Sequence, residues 1–277
     1  MHIGIIGTGN MGTILTEAII DSQAAPQEHI HITNRTIEKA LQIKANYPNI
    51  HVEETVEEVV SNSEMIFICV KPMDIYPLLI KTSHLLKKDK CTISITSPFS
   101  VEQLESIVQC SCMRVIPSIT NRALSGVCLV TYGTNCSDHW KQKVNSFLSY
   151  IGNPIEIEQQ YTRVASDIVS CGPAFFSFLT QKFIDAAVKE TGINKDLATQ
   201  LAQEMLVGMG TLIKKGHYSL PTLQEKVCVK GGVTGKGIEV LDNSQIEDTF
   251  RTVFNVTQRK FAEDQKMINN QFNFFGK

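Results

Sequence analysis

A glycine-rich segment near the start of the chain constrains the fold more than any other feature. The apolar run HIGIIG, residues 2–7, is typical of a buried strand, and it leads through GTGNMG into the helical pattern MGTILTEAIIDS. Gly7, Gly9 and Gly12 have G-x-G-x-x-G spacing in the strand–turn–helix context that dinucleotide binding requires. The first glycine permits the tight turn, the second lets the backbone approach a pyrophosphate, and the third allows the helix to pack closely on the strand.

The pattern that follows predicts two domains. Short β-rich runs alternate with helical stretches over residues 1–158, which indicates a Rossmann-type, doubly wound and mainly parallel α/β sheet. Strand patterns almost vanish over residues 159–277, where we predict an all-helical dimerisation domain. Its apolar faces are wide, as in LAQEMLVGMGTLI, which favours packing against a second copy. We expect the last residues, NNQFNFFGK, to form a loose tail.

Composition excludes several other classes of protein. Of the 277 residues, 43% are hydrophobic and 19% charged, and the net charge of −2 gives no reason to expect a nucleic acid or an acidic membrane surface as partner. Apolar runs stay short of the ~18–20 residues that span a bilayer. Neither the eight cysteines nor the seven histidines have metal-site spacing, so we predict no metal. The chain starts without the basic region of a signal peptide, and we expect a soluble cytoplasmic protein with reduced thiols.

The end of the second predicted strand bears on the choice of dinucleotide. NAD sites usually place an Asp or Glu there to hold the ribose 2′-OH. This chain has TNRT, and Asn34, Arg35 and Thr36 offer a cation and hydrogen-bond donors that suit a 2′-phosphate. We therefore favour NADP(H) over NAD, with a merely solvated Arg35 as the alternative.

Seven motifs occur in one order along the chain. They are GTGNMG, TNRT, ICVKP, RVIPSITN, SCGPAFFSF, DAAVKETGI and VCVKGGVTGKG. In this order the chain resembles the pyrroline-5-carboxylate reductases from residue 1 to about residue 260. The resemblance implies NADPH-dependent reduction of a cyclic imine carboxylate, pyrroline-5-carboxylate, to proline. It also implies an active site at the interface of a homodimer with interlocked C-terminal helices, and family members often assemble further into decamers.

The resemblance also implies the site residues. Those for the cofactor are Gly7, Gly9, Asn10, Met11, Gly12, Asn34, Arg35, Val70, Lys71 and Pro72. Those for the substrate are Pro173, Lys230, Gly231, Gly232, Val233 and Thr234. Backbone N–H groups of a glycine-rich turn at a helix N-terminus can hold a carboxylate. A hydroxyl beside the ring nitrogen can donate the proton, which makes Thr234 the candidate catalytic residue.

The glycine-rich loop near the C-terminus departs from the family pattern. Family members read close to S-P-G-G-T-T where this chain has Val229, Lys230, Gly231, Gly232, Val233 and Thr234. Two hypotheses fit this change. The chain is a working imine reductase, or it is a diverged late-competence paralogue of the ComER type that binds NADP(H) and has a regulatory role or a different imine substrate. A nucleotide phosphate loop is excluded, because the spacing from Gly231 is too short and Gly237 stands where Ser or Thr is needed.

Overall fold

The structure, a computed structural model, describes residues 1–275 and forms two compact units. The first unit comprises Met1–Cys171 together with the last helix from Val256 onward, and the second comprises Gly172–Asn255.

An eight-stranded sheet forms the centre of the first unit. Its strands are β1 Ile3–Ile6, β2 Ile30–Thr33, β3 His51–Val52, β4 Met65–Ile68, β5 Cys91–Ser94, β6 Ser111–Ile116, β7 Val127–Tyr132 and β8 Asn153–Glu156. Their spatial order is β3-β2-β1-β4-β5-β6-β7-β8. Strands β1 to β6 are parallel, β7 runs antiparallel to β6, and β8 is parallel to β7. The predicted doubly wound, mainly parallel sheet is confirmed.

Helices cover both faces of this sheet. They are α1 Asn10–Asp21, α2 Ile37–Asn46, α3 Val56–Ser61, α4 Pro72–Thr82, α5 Val101–Glu105, α6 Asp138–Leu148 and α7 Thr162–Ser166. One buried cluster joins α1, α2 and α6 to Ile3 and Ile5 of β1. A second cluster joins α3, α4 and α5 to Ile6 of the same strand. Because β1 is covered on both sides, it is a continuous apolar run instead of an alternating one.

The second unit is helical and has a small core of its own. Its helices are α8 Gly172–Thr191, α9 Lys195–Lys214, α10 Leu220–Val227, α11 Val233–Asp242 and the first part of α12 Ile246–Phe275. Its buried core consists of Ile184, Ala198 and Ala202. Large apolar side chains are exposed on the same helices, among them Phe176, Phe178, Phe183, Leu201, Met205 and Val207. Within residues 1–275, no helix is long and apolar enough to cross a bilayer.

The end of the chain differs from the prediction. Helix α12 continues without a break to Phe275, so the predicted loose tail is wrong for residues 269–275. Ile268 is fully buried in the cluster of α4 and α5, and the Phe272 ring lies 4.7 Å from the Tyr76 ring. Because residues 268 and 272 are four apart on a helix, they form one apolar stripe that covers this cluster. Gly276 and Lys277 lie outside the described residues.

Candidate functional site

The turn after β1 has no space for a side chain at two of its glycines and has open space at the third. Gly7 has a φ of +101°, and a Cβ there would lie 2.7 Å from the carbonyl oxygen of Cys69. A Cβ on Gly12 would lie 1.9 Å from the carbonyl oxygen of Gly7. A Cβ on Gly9 would meet nothing within 4 Å. Packing therefore requires Gly7 and Gly12, whereas the space beside Gly9 is free for a ligand to approach the backbone.

Helix α1 presents an uncapped N-terminus at this open glycine. Gly9 is its N-cap, no side chain accepts from the first-turn amides, and the first turn holds no acidic residue. Asn10, Met11 and Gly12 occupy that first turn, where the N–H groups lack intrahelical partners. Free amides and the positive end of the helix dipole suit a phosphate. The geometry thus fits the pyrophosphate of a dinucleotide.

Asn34 ties the glycine turn to the end of β2. Its side-chain Oδ1 accepts from the Thr8 backbone N–H at 3.0 Å, and its Nδ2 donates to the Thr36 carbonyl oxygen at 2.9 Å. Sequence reasoning placed Asn34 at the cofactor but missed this bracing role. No local pattern signals that role, because Asn34 and Thr8 stand 26 residues apart in the chain.

Arg35 is free to move toward a ligand. Its side chain is 85% exposed, and its Nη1 lies 3.8 Å from Oδ2 of Asp74 in the first turn of α4. An ion pair this exposed holds a side chain only weakly. The guanidinium can therefore leave Asp74 for a stronger anion, such as a 2′-phosphate.

The Val70–Lys71–Pro72 segment follows β4, next to the glycine turn. The Cys69 N–H donates to the Ile6 carbonyl oxygen at 2.8 Å, and the Gly7 N–H donates to the Thr33 carbonyl oxygen at 2.8 Å. These bonds join the carboxyl ends of β1, β2 and β4. Lys71 is exposed and is the N-cap of α4, and Pro72 opens the helix. Since β1 lies between β2 and β4, this edge is the topological switch point where open α/β sheets bind ligands.

A buried arginine that sequence reasoning missed supports the turn after β5. Arg114, on β6, is 1% exposed, and burial lowers the pKa of its guanidinium to about 10. It donates to the Ser97 carbonyl oxygen at 3.1 Å and to the hydroxyls of Thr131 at 3.2 Å and Thr162 at 2.5 Å. These acceptors are all uncharged oxygens. The network fixes the turn from Thr96 to Pro98, another segment at the carboxyl edge of the sheet.

The loop between α10 and α11, in the second unit, is a tight turn. The Gly232 N–H donates to the Val229 carbonyl oxygen at 2.9 Å, and Gly231 has a φ of +77°, as a type II turn requires at its third position. Lys230 occupies the second position, where such turns favour proline. A helix precedes this loop instead of the strand that a nucleotide phosphate loop needs, in agreement with its exclusion.

Helix α11 opens directly after this turn. Gly232 is its N-cap, no side chain accepts from the first-turn amides, and its first turn holds no acidic residue. Val233 is 90% exposed there, and Thr234 is half-buried. The turn therefore combines free amides, which suit a carboxylate, with one hydroxyl and one apolar side chain. Pro173 lies apart in the sequence, at the second residue of α8.

Four histidines gather at the opposite, amino-terminal edge of the sheet. Nδ1 of His2 lies 2.9 Å from Nε2 of His31, whose Nδ1 lies 2.7 Å from Oε1 of Glu53. The ring of His51 stacks on His31 at 4.7 Å, and the ring of His29 lies 4.5 Å from that of His2. His31 lies in β2, whereas His29 ends the short 3₁₀ turn before that strand. In residues 1–275, no group of three or more His, Cys, Asp or Glu side chains is placed to hold a metal ion.

Two family models match the chain, one in each half. Residues 2–98 match the family described as NADP oxidoreductase, coenzyme F420-dependent, and residues 159–264 match the family described as pyrroline-5-carboxylate reductase dimerisation. At the family level the match of residues 2–98 confirms the predicted cofactor class, NADP(H).

Two curated relatives align with almost the whole chain. ComE operon protein 4 of Bacillus subtilis is 58% identical over 272 residues, which cover 98% of this chain and 99% of that protein. Pyrroline-5-carboxylate reductase 3 of the same organism is 27% identical over 271 residues, with the same two coverages.

Solved structures share the fold over nearly the full length. The Plasmodium falciparum pyrroline carboxylate reductase with NADP bound is 22% identical with a TM-score of 0.83, and the match covers 96% of this chain and 98% of that one. A pyrroline-5-carboxylate reductase from Coxiella burnetii is 20% identical with a TM-score of 0.85, covering 95% and 98%.

Proposed function

Because the chain belongs to the pyrroline-5-carboxylate reductase family, we propose that it reduces a cyclic imine carboxylate with NADPH, and that this imine is pyrroline-5-carboxylate. The observation that carries the NADPH-binding part of the proposal is the glycine turn of the first unit. Close packing leaves no space for a side chain at Gly7 and Gly12, whereas the backbone at Gly9 faces open space at an uncapped helix N-terminus. The family match from residue 159 onward supports the proposed division into a cofactor domain, 1–158, and a helical domain, 159–277.

The residues at the switch point fit NADP(H). The amides of Asn10, Met11 and Gly12 would hold the pyrophosphate, and Arg35 would hold the 2′-phosphate after leaving Asp74. Asn34 would keep the glycine turn in place beside them. Val70, Lys71 and Pro72 would border the cofactor from β4.

The turn before α11 would hold the substrate. The amides of Val233 and Thr234 would bind the carboxylate, because the Gly232 N–H already donates to Val229 within the turn. Gly232 would serve as the helix N-cap, and Gly231 would supply the left-handed backbone that the turn needs. When bound, NADPH supplies the hydride for the imine carbon. The Thr234 hydroxyl would donate or relay the proton that the ring nitrogen takes up. Lys230 adds a mobile cation beside the carboxylate, and Pro173 would line the same site from α8.

We also propose that the second unit forms a homodimer. Its buried core is limited to three side chains, while many large apolar side chains on α8 and α9 are exposed. Exposed apolar surface on this scale marks a protein interface. The family match for residues 159–264, described as a dimerisation region, supports a second copy as the partner.

A second candidate function is favoured by one similarity and one change. The similarity is the 58% identity to ComE operon protein 4. The change is in the proposed substrate turn, which has Val229, Lys230 and Val233 in place of the serine, the proline and the first threonine of the family pattern S-P-G-G-T-T. On this alternative, the protein binds NADP(H) but has a regulatory role or acts on a different imine. The intact glycine turn is common to both candidates, so cofactor binding alone does not separate them.

Turnover separates the two candidates. Purified protein would be mixed with NADPH and pyrroline-5-carboxylate, with the loss of NADPH followed by absorbance and proline detected by mass spectrometry. We expect proline to form at a rate that is proportional to the enzyme concentration. Tight NADPH binding without any proline would contradict the reductase proposal and support the second candidate.

A further inference from the structure

Helix α4 contains a break in its own hydrogen bonding. Pro77 lies inside the helix and has no N–H to donate to the carbonyl oxygen of Met73, four residues earlier. The proline ring also crowds that carbonyl, so the first turn of α4 is poorly held by the helix itself. An acceptor left unpaired in this way costs stability unless another group donates to it.

The C-terminal helix supplies the missing donor. Nε2 of Gln271 donates to the Met73 carbonyl oxygen at 3.0 Å, across 198 residues of sequence. The next residue, Phe272, packs edge-on against Tyr76 of α4 at 4.7 Å and lies 5.8 Å from Phe99. Ile268, one turn earlier, is fully buried. Packing on both sides of Gln271 fixes its place beside the broken turn.

The turn that Gln271 completes borders the proposed cofactor site. It begins at Lys71 and Pro72, directly after β4, and it includes Asp74, whose carboxylate faces Arg35. A shift of this turn would therefore displace two features together. These are Lys71 and Pro72 after β4, and Asp74, the ion-pair partner of Arg35.

We propose that Gln271 is a positioning residue for NADP(H). It restores the hydrogen bond that Pro77 removes from α4, and it thereby holds Lys71, Pro72 and Asp74 at the places that cofactor binding requires. This inference rests on the proposed cofactor site. It assigns a role in binding to the last turns of the chain, which the sequence alone indicated to be a tail.

A double-mutant cycle between Gln271 and Pro77 tests this role. Gln271→Met keeps the length of the side chain and removes its donor. Pro77→Ala restores the backbone N–H that pairs with Met73. If Gln271 acts through that carbonyl, its replacement should weaken NADPH binding about three- to fivefold in the natural background and less than twofold beside Pro77→Ala.

A matched control comes from the same helix. Asn269 accepts from Nε2 of Gln103 at 2.8 Å and does not bond to α4. Asn269→Ala should therefore lower the melting temperature slightly and leave the NADPH dissociation constant unchanged. Fluorescence titration gives the NADPH dissociation constant for all variants. The melting temperatures of the cofactor-free variants give a second, independent double-mutant cycle between Gln271 and Pro77.

The outcomes separate this inference from the proposed function. Coupling between Gln271 and Pro77 in both melting temperature and NADPH affinity, with an unchanged NADPH affinity in Asn269→Ala, supports the positioning role. If the natural protein binds NADPH and Gln271→Met changes the affinity equally in the natural background and beside Pro77→Ala, the positioning role is wrong and the proposed function stands. If the natural protein does not bind NADPH, the cofactor site and the positioning role both fail, even where the melting temperatures show coupling.

Discussion

Most glycines of the two units lie in opposite environments. In the first unit a Cβ on Gly4, Gly7, Gly12, Gly126, Gly133 or Gly152 would lie 3 Å or less from another atom, and among the glycines of residues 1–171 only Gly9 faces open space. In the second unit a Cβ on Gly192, Gly208, Gly210, Gly216, Gly231, Gly235 or Gly237 would meet nothing within 4 Å, whereas one on Gly232 would lie 2.7 Å from Cγ2 of Val229 in the tight turn. The first unit is thus packed within one chain and open at its proposed ligand site. The second presents surfaces that one chain does not fill, as expected of a unit completed by a second copy.

The largest expected effect is the loss of dimer affinity when an exposed leucine of the second unit is replaced by a charged residue. Leu201 on α9 is 55% exposed, and Leu201→Asp should place a charge in the proposed dimer interface and lower the dimer affinity at least about 100-fold. Light scattering across a concentration series measures this change.

An exposed isoleucine of the first unit is the matched control for that charge. Ile80 on α4 is 51% exposed, and Ile80→Asp should leave the association unchanged because α4 lies outside the residues that match the dimerisation family. A dimer that tolerates Leu201→Asp would show that the apolar face of α9 is not an interface.

Loss of a hydroxyl tests the proposed chemistry of the second unit. Thr234→Ala should lower kcat for pyrroline-5-carboxylate about 100-fold, because the proton donor is removed, with an unchanged NADPH dissociation constant. Thr234→Ser retains the hydroxyl and should keep most of the activity. Full activity in Thr234→Ala would exclude this residue as proton donor.

Removal of the Arg35 cation tests the proposed recognition of the NADPH 2′-phosphate by the first unit. Arg35→Ala should weaken NADPH binding about tenfold and leave NADH binding unchanged, because only NADPH carries the 2′-phosphate. Arg35→Lys should retain part of the preference. If Arg35→Ala weakens both cofactors equally, Arg35 does not distinguish them.

The smallest expected effect concerns the histidines at the far edge of the sheet. Burial, followed by the nearby His29 and His31, lowers the pKa of His2 below its ordinary value of 6.5, against an opposing influence of Glu64. His2 therefore binds a proton more readily in the unfolded chain than in the folded one. The stability that neutral His2 provides is present above pH 6.5 and is lost as the pH falls below it. Between about pH 7.5 and 5.5, the melting temperature should fall about 1 °C further in the natural protein than in His2→Gln.

A distant histidine serves as control for this pH effect. His84 is exposed on the short 3₁₀ turn after α4, away from the cluster, and His84→Gln should keep the full pH-dependent loss. Equal losses in His2→Gln and the natural protein would show that His2 does not contribute.

The sequence predicts those features that depend on neighbouring residues. The glycine turn, the order of strands and helices and the wide apolar faces of the second unit are local patterns, and the structure has them where they were predicted. The contacts of Asn34 with Thr8, of Arg114 with the turn after β5 and of Gln271 with Met73 join distant segments. No repeating pattern of neighbouring residues in the sequence indicates these contacts. Pro77 is visible in the sequence, but the residue that compensates for it appears only once α12 is placed on α4.

One measurement tests the central claim that the cofactor site is retained while Val229, Lys230 and Val233 of the changed substrate turn limit imine reduction. The triple variant Val229→Ser, Lys230→Pro, Val233→Thr restores the family-like turn, and kcat/KM for pyrroline-5-carboxylate would be compared with that of the natural protein beside the NADPH dissociation constant of each. We expect kcat/KM to rise at least about tenfold with unchanged NADPH affinity, because the turn regains its hydroxyls and a rigid second position. An unchanged or lower kcat/KM in a folded, NADPH-binding variant would contradict the claim that these three residues limit imine reduction.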